Sequence, residues 1–303
     1  MKQTFYSNGK LLITGEYVVL DGATALALPT KFGQYLHVEE HEAAVIHWMS
    51  YDSDGSVWFE STVSFLEVIQ KINSDNDSVK NILVEILHAA YKINPNFILK
   101  GKGCLVTTEL TFPKKWGLGT SSTLINNIAQ WLTIDAYELL KMSFGGSGYD
   151  IACAQSNSAI TYQLLDDKPI VEKVAFLPSF RDKIFFIYLN KKQNSRNAIS
   201  LYFGKNSHVD KSIPVINAIT KKVIAAKEPK EFALALQQHE IELSNVLELP
   251  TVKETLFSDF NGVIKSLGAW GGDFVLSISK ENPKEYFRQR GYEIVLSYEE
   301  MIL

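Results

Sequence analysis

Cysteine is nearly absent from this 303-residue sequence. Cys104 and Cys153 are the two present, both in apolar surroundings, and they read as buried thiols rather than as a disulfide. No run of about twenty apolar residues occurs, so a membrane-spanning helix is not expected. The opening residues, MKQTFYSNGKLLITGEY, lack the apolar core and small-residue cleavage site of an export signal, which makes a reduced, cytoplasmic setting the expectation. Positive charge is not in excess either. The 30 Lys and Arg face 34 Asp and Glu, for a net charge of −4, without a long run of either sign, so nucleic-acid binding finds no support. Six histidines (His37, His41, His47, His88, His208, His239) form no pair at metal-ligand spacing and read as surface or packing residues.

What is present describes a globular protein: 46% hydrophobic and 21% charged residues, enough for one large domain or two ordinary ones. The first sixty residues alternate as short strands broken by turns, including KLLITGEYVVL, the Asp21-Gly22 turn and ATALALPT. From Ser78 the apolar spacing becomes helical until the Pro95 stretch, and two further helical pieces follow at Thr123 to Leu132 and Ala136 to Met142. Asp166, Asp167, Lys168 and Pro169 form a polar break. Beyond it lie a strand, KIFFIYLN, a helix behind Ser195, helical patterns from Ile213 to Val246, and two closing strands, DFVLSIS and YEIVLS. The reading is an α+β fold with two domains, 1–165 and 166–303.

Between the strand-like GCLVTTELTF and the helical segment sits WGLGTSST. Strand, glycine-hydroxyl loop and helix in that order suit a phosphate, because amides at a helix start have no intrahelical acceptor and carry partial positive charge, while glycines let a ligand reach the main chain. The lysine that ends the common G-x-x-x-x-G-K-[ST] loop is missing. Taken alone, the stretch fits an ordinary helix cap equally well.

Three glycine-marked stretches decide the matter by their order: SNGKLLITGEY at 7 to 17, PKKWGLGTSST at 113 to 123 and GAWGGDF at 268 to 274. In this order they resemble the three motifs of the GHMP small-molecule kinases, and the resemblance runs from Asn8 to Asp273. Pro113, Gly117, Leu118, Gly119 and Ser121 match the second motif, P-x-x-x-G-L-G-S-S-A, with Thr120 and Ser122 as departures. The resemblance implies a two-domain architecture with the active site in the interdomain cleft and ATP with Mg2+ as cofactors. It implies phosphate binding by Gly117, Leu118, Gly119, Thr120, Ser121 and Ser122, a magnesium-side hydroxyl at Ser121, and Lys10 as the cation. GGSGYDIACA resembles the S-G-x-D element of the mevalonate and phosphomevalonate branches and puts Asp150 forward as the catalytic acid; capping a helix begun by IACA is the lesser reading. Glu138, twelve residues earlier, stands near the place of a second magnesium ligand, and equally suits a solvent-facing helix position.

Gly15-Glu16-Tyr17 and Gly271-Gly272-Asp273 resemble the phosphomevalonate branch, so the expected acceptor is phosphomevalonate, with mevalonate as the alternative and a non-catalytic binder on the same fold as another. Lys114, Lys115, Lys191, Lys192 and Arg196 are available to a phosphorylated acceptor. Trp270 departs from the family, standing where glycine is usual. A homodimer is left open.

Overall fold

The structure, a computed structural model, describes residues 2–73, 78–192, 195–204 and 209–303, with side chains at all of these except 195–197 and 201. His208 and the Arg196 side chain therefore lie outside the described residues. Eleven strands are formed among them: β1 (Lys2–Thr14), β2 (Ala25–His41), β3 (Val45–Tyr51), β4 (Val57–Ser64), β5 (Gly103–Leu110), β6 (Ile160–Leu165), β7 (Lys168–Lys173), β8 (Ile184–Tyr188), β9 (Val263–Leu267), β10 (Phe274–Ile278) and β11 (Val295–Ser297). The helices are α1 (Phe65–Gln70), α2 (Ser78–Ile93), α3 (Asn96–Leu99), α4 (Thr120–Leu132), α5 (Ala136–Ser143), α6 (Tyr149–Ala154), α7 (Ser195–Phe203), α8 (Val209–Ala225), α9 (Pro229–Leu247), α10 (Val252–Leu256), α11 (Lys284–Arg288) and α12 (Tyr298–Met301). The fold is α+β, as expected.

The chain divides into two compact units, neither of them one continuous stretch. The first holds Met1–Gly9, Phe32–Lys114 and Leu118–Gln155; the second holds Lys10–Lys31, Lys115–Gly117 and Ser156–Leu303. Residue 165, where the composition suggests a break, falls inside the second unit. The physical reason is strand length: β1 and β2 are 13 and 17 residues long, and each contributes to both units.

In the first unit, β3 pairs antiparallel with β4 and parallel with β5, and β5 pairs antiparallel with the Gln34–His41 part of β2. Strand β5 alternates, burying Cys104, Val106, Thr108 and Leu110 and turning Leu105 and Glu109 outward, the period-2 pattern of a half-buried strand. Helix α2 buries Leu83, Val84, Ile86, Leu87, Ala89 and Ala90 along one stripe, and α4, α5 and α6 add Ile125, Ile128, Leu139 and Ile151 to the same core. Fixing α4 is a polar device. Asn126 and Asn127 are buried within it, and both are satisfied: Asn126 donates to Ser7 Oγ at 2.8 Å, Ser7 Oγ donates to Asn127 Oδ1 at 2.7 Å, and Asn127 donates to the Gln34 carbonyl at 2.9 Å. Gln155, just past α6, donates to Asn126 Oδ1 at 2.9 Å and ties that helix to the first half of α4.

The second unit pairs Ala25–Ala27 of β2 with β6, and β6 with β7. It also carries an antiparallel sheet in the order β11-β8-β10-β9, packed through Phe185, Ile187, Phe257, Val275 and Phe287. Both cysteines are buried and free, in accord with the expected thiols. Among the described residues, no helix is long and apolar enough to cross a membrane.

The stretch KLLITGEYVVL reads as one strand but is broken. Strand β1 stops at Thr14, Gly15 takes φ 88° and Tyr17 φ 64°, and a short 3-10 turn covers Val18–Asp21. A Cβ at Gly15 would lie 2.8 Å from both Cα and Cβ of Ala25, closer than such atoms can approach. The glycine is required by packing as well as by its backbone angle.

Candidate active site

The glycine-hydroxyl stretch lies after β5, as expected, but its helix starts three residues early. Lys114–Trp116 form a 3-10 turn, Gly117 takes φ 69°, and Gly119 takes φ 99° at the position that opens α4. Thr120, Ser121 and Ser122 are thus the first helical turn rather than part of the loop. No side chain caps this helix at Gly119, so its leading amides face outward along the axis. The three hydroxyls differ. Ser122 is buried and donates to the Gly119 carbonyl at 2.8 Å. Thr120 Oγ1 is buried with no hydrogen-bond partner among the described residues, and Ser121 is exposed. Leu118 is fully buried and anchors the loop by its side chain.

Lys115–Gly117 belong to the second unit, and there they meet Lys10: its Nζ donates to the Gly117 carbonyl at 3.4 Å. The first and second glycine motifs are thereby joined at one residue. The third motif reaches the same residue. A Cβ at Gly117 would lie 2.3 Å from the carboxyl carbon of Asp273, so only glycine leaves room for that side chain. Next to this turn, Trp116 packs edge-on against Phe274 with ring centres 5.5 Å apart, and Tyr188 donates its hydroxyl to the Lys115 carbonyl at 3.1 Å.

Asp150 lies in the first turn of α6, whose capping position is Gly148 at φ 87°. A cap role for Asp150 is therefore not what the helix uses, since the carboxylate stands two residues inside. Asp150 is half-buried, on the helix that Gln155 holds against α4. Glu138 is placed differently. It is exposed in the first turn of α5, which begins beyond the far end of α4, and the 13 residues of α4 span about 20 Å. Among the described residues, no group of three or more His, Cys, Asp or Glu is arranged to hold a metal. Lys115, Lys191 and Lys192 are exposed, and Lys114 places its ammonium 4.1 Å from the centre of the Trp58 ring.

Behind the first motif, in the second unit, lies a buried charge network that the sequence reading missed. Lys265, on β9 and fully buried, donates to Glu16 Oε1 at 2.7 Å and to the Ser266 carbonyl, and stands 3.6 Å from Glu240 Oε2. Glu240 in turn accepts the Ser266 amide at 3.0 Å and its hydroxyl at 2.6 Å. His239 accepts the Gly15 amide through Nε2 at 2.8 Å, so that nitrogen carries no proton, and its 3.6 Å approach to Glu16 Oε2 is not an ion pair. Burial, with the Lys265 charge added, holds the His239 pKa well below its ordinary 6.5. Burial raises that of Glu16, with Lys265 pulling against it. Tyr17 completes the link. Its hydroxyl accepts the Trp270 amide at 2.7 Å, and burial pushes its pKa up to about 12. Trp270 also donates its indole N–H to the Pro250 carbonyl at 3.1 Å, so the tryptophan that replaces a glycine is held at both ends. A lysine inside the apolar run VIKSL was the available sign of this network.

The His239 geometry has a measurable pH signature. A group whose folded pKa is depressed contributes stability above its unfolded value and loses it as pH falls below that value. The stability difference between wild type and His239→Gln is therefore largest above pH 6.5. It shrinks by up to roughly 1.4 kcal/mol for each pH unit below that, as urea titrations at pH 7.5 and 5.5 will measure.

Comparison with solved structures gives matches over nearly the whole chain. Mevalonate kinase from Methanococcus jannaschii superimposes with a TM-score of 0.71 at 15% identity, covering 97% of this chain and 96% of that one. Streptococcus pneumoniae phosphomevalonate kinase in complex with phosphomevalonate and AMPPNP gives 0.67 at 15% identity, covering 95% of each. The chain has the GHMP kinase fold. The same fold includes a Legionella pneumophila mevalonate diphosphate decarboxylase, at TM-score 0.59 and 13% identity, covering 98% of this chain and 100% of that one. No family model matches the chain, and no curated protein matches it by sequence. In this chain the three motifs lie at the end of β1 and the break after it, at the N-terminus of α4 and at the turn before β10.

Proposed function

We propose that this protein is an ATP-dependent small-molecule kinase, with phosphomevalonate as its acceptor. The observation that carries the reading is the Lys10 ammonium on the carbonyl of Gly117, at the head of an uncapped helix whose first turn offers an exposed hydroxyl. Phosphoryl transfer asks a protein chiefly for positioning and charge stabilisation: amides and a cation around the phosphates, and an acid to orient the nucleophile. The amides of Gly117 to Ser122 would wrap the phosphates, Lys10 would neutralise the transferred group, and Asp150 would orient the acceptor hydroxyl. An orphaned hydroxyl at Thr120 suits a site that a ligand completes.

The donor set fits a magnesium ion that arrives with the nucleotide. One hydroxyl, Ser121, is available to it without a protein cage, and magnesium commonly keeps its waters and shares phosphate oxygens. Such an ion would supply charge neutralisation at the β and γ phosphates.

The choice of phosphomevalonate over mevalonate rests on the resemblance of Glu16-Tyr17 and Gly272-Asp273 to that branch. A panel of mevalonate, phosphomevalonate, mevalonate diphosphate, homoserine and galactose with ATP and magnesium, read as ADP and CO2 formed, tests the proposal. ADP with phosphomevalonate alone supports it; CO2 release makes the chain a decarboxylase, and no turnover with any acceptor leaves a binding protein. A narrower test is Ser121→Ala. The side chain is exposed, so stability should change by no more than about 0.5 kcal/mol, while kcat/KM for magnesium-ATP falls by roughly ten- to a hundredfold.

A further inference from the structure

Asp273 is an acidic residue in a costly place. It is buried, 8% exposed, and takes φ 51°, a left-handed conformation that Asn, Asp and Gly tolerate and most residues avoid. Its main chain is held on both sides: the amide donates to the Lys191 carbonyl at 2.8 Å, and the carbonyl accepts the Leu189 amide at 2.8 Å. The carboxylate is thereby driven against Gly117, where a Cβ would meet Oδ2 at 2.3 Å and Oδ1 at 2.7 Å. Lys10 binds the carbonyl of that same glycine. The negative charge is felt around it, being one of the causes, after burial, that raise the pKa values of the Tyr17 and Tyr188 hydroxyls.

If the role were only to hold a left-handed turn, asparagine or glycine would serve without the cost of burying a charge. A carboxylate at the head of a phosphate loop also repels the phosphates of a bare nucleotide. We infer that Asp273 is a positioning and specificity-determining residue for the reaction proposed above: its charge orients Lys10 at the Gly117 turn and penalises nucleotide that arrives without a divalent cation. The inference rests on that reading, since it requires a nucleotide phosphate at the loop.

The test is equilibrium binding of ATP in EDTA and of an ATP analogue with magnesium, for wild type, Asp273→Asn and Asp273→Gly, with turnover beside them. Both variants keep a residue that accepts the left-handed backbone. Removing one charge at this range should tighten metal-free ATP by on the order of tenfold, should change the magnesium complex much less, and should lower kcat. A purely structural role would weaken both forms together and lower the melting temperature. Unchanged or weaker metal-free binding in the folded variants overturns the inference while leaving the kinase reading intact. A wild type that binds neither form overturns that reading, and the inference with it.

Discussion

Asp150→Asn should lower turnover at saturating acceptor by on the order of a hundredfold or more, which corresponds to about 2.7 kcal/mol of lost transition-state stabilisation. Melting temperature and ATP affinity should stay near wild type. The capping position of α6 belongs to Gly148, so the exchange removes no cap, and asparagine preserves shape while losing the charge and the capacity to take a proton. Lys10→Met should cost at least as much, because in the proposed reaction this ammonium neutralises the transferred phosphoryl. In the double variant, groups that serve one step lose less than the sum of the singles. Near-wild-type turnover in Asp150→Asn would remove this residue from the mechanism and leave Lys10 and the glycine loop as the whole account.

Lys265→Met should destabilise the fold by about 3–5 kcal/mol. The lysine is fully buried between Glu16 and Glu240, which are themselves 2% exposed. Without it, two carboxylates remain in the interior with no cation, and desolvation and mutual repulsion both disfavour their charged forms. The folded pKa of Glu16, already raised by burial, should therefore rise further above its unfolded value. Stability from groups shifted in that direction is present at low pH and lost as pH rises through the folded value. The variant should gain stability as pH falls from 7.5 towards 5, and adding Glu16→Gln and Glu240→Gln should recover part of the loss. Denaturant titrations at the two pH values measure both effects; a loss below about 1 kcal/mol at neutral pH would mean that water or rearrangement replaces the lysine.

The fold was legible where local pattern and tertiary demand agree. The alternation of β5, the stripe of α2 and the strand-loop-helix order around Gly117 are each set by neighbours in sequence, and each is found. The departures have a common cause. KLLITGEYVVL has strand propensity throughout, yet the Gly15 to Ala25 approach, ten residues apart in sequence, ends β1 at Thr14. The contact-based division differs from a break at residue 165 because β1 and β2 each contribute to both units, without any change of composition. At the candidate site, Lys10, the glycine loop and Asp150 were marked by motifs. His239, Glu240 and Lys265 had no motif at all; His239 and Lys265 take their meaning from contact with Glu16 more than two hundred residues away, and Glu240 from Lys265.

The passage of β1 and β2 through both units bears on how the protein is made. Synthesis delivers Lys10 to Lys31 early, including Leu11, Leu12, Ile13, Leu26 and Leu28, all buried in the finished molecule. Apart from Lys115–Gly117, the rest of their unit begins at Ser156. A nascent chain ending near Gln155 therefore holds every residue of the first unit, and it also carries the apolar Ala25–Ala27 stretch of β2, whose partner strand β6 has not been translated. Such an interval favours aggregation. A ribosome-released fragment of residues 1–155 should consequently depend on chaperones or precipitate, and slowing translation just after that point should lower the yield of native protein more than slowing it near the C-terminus.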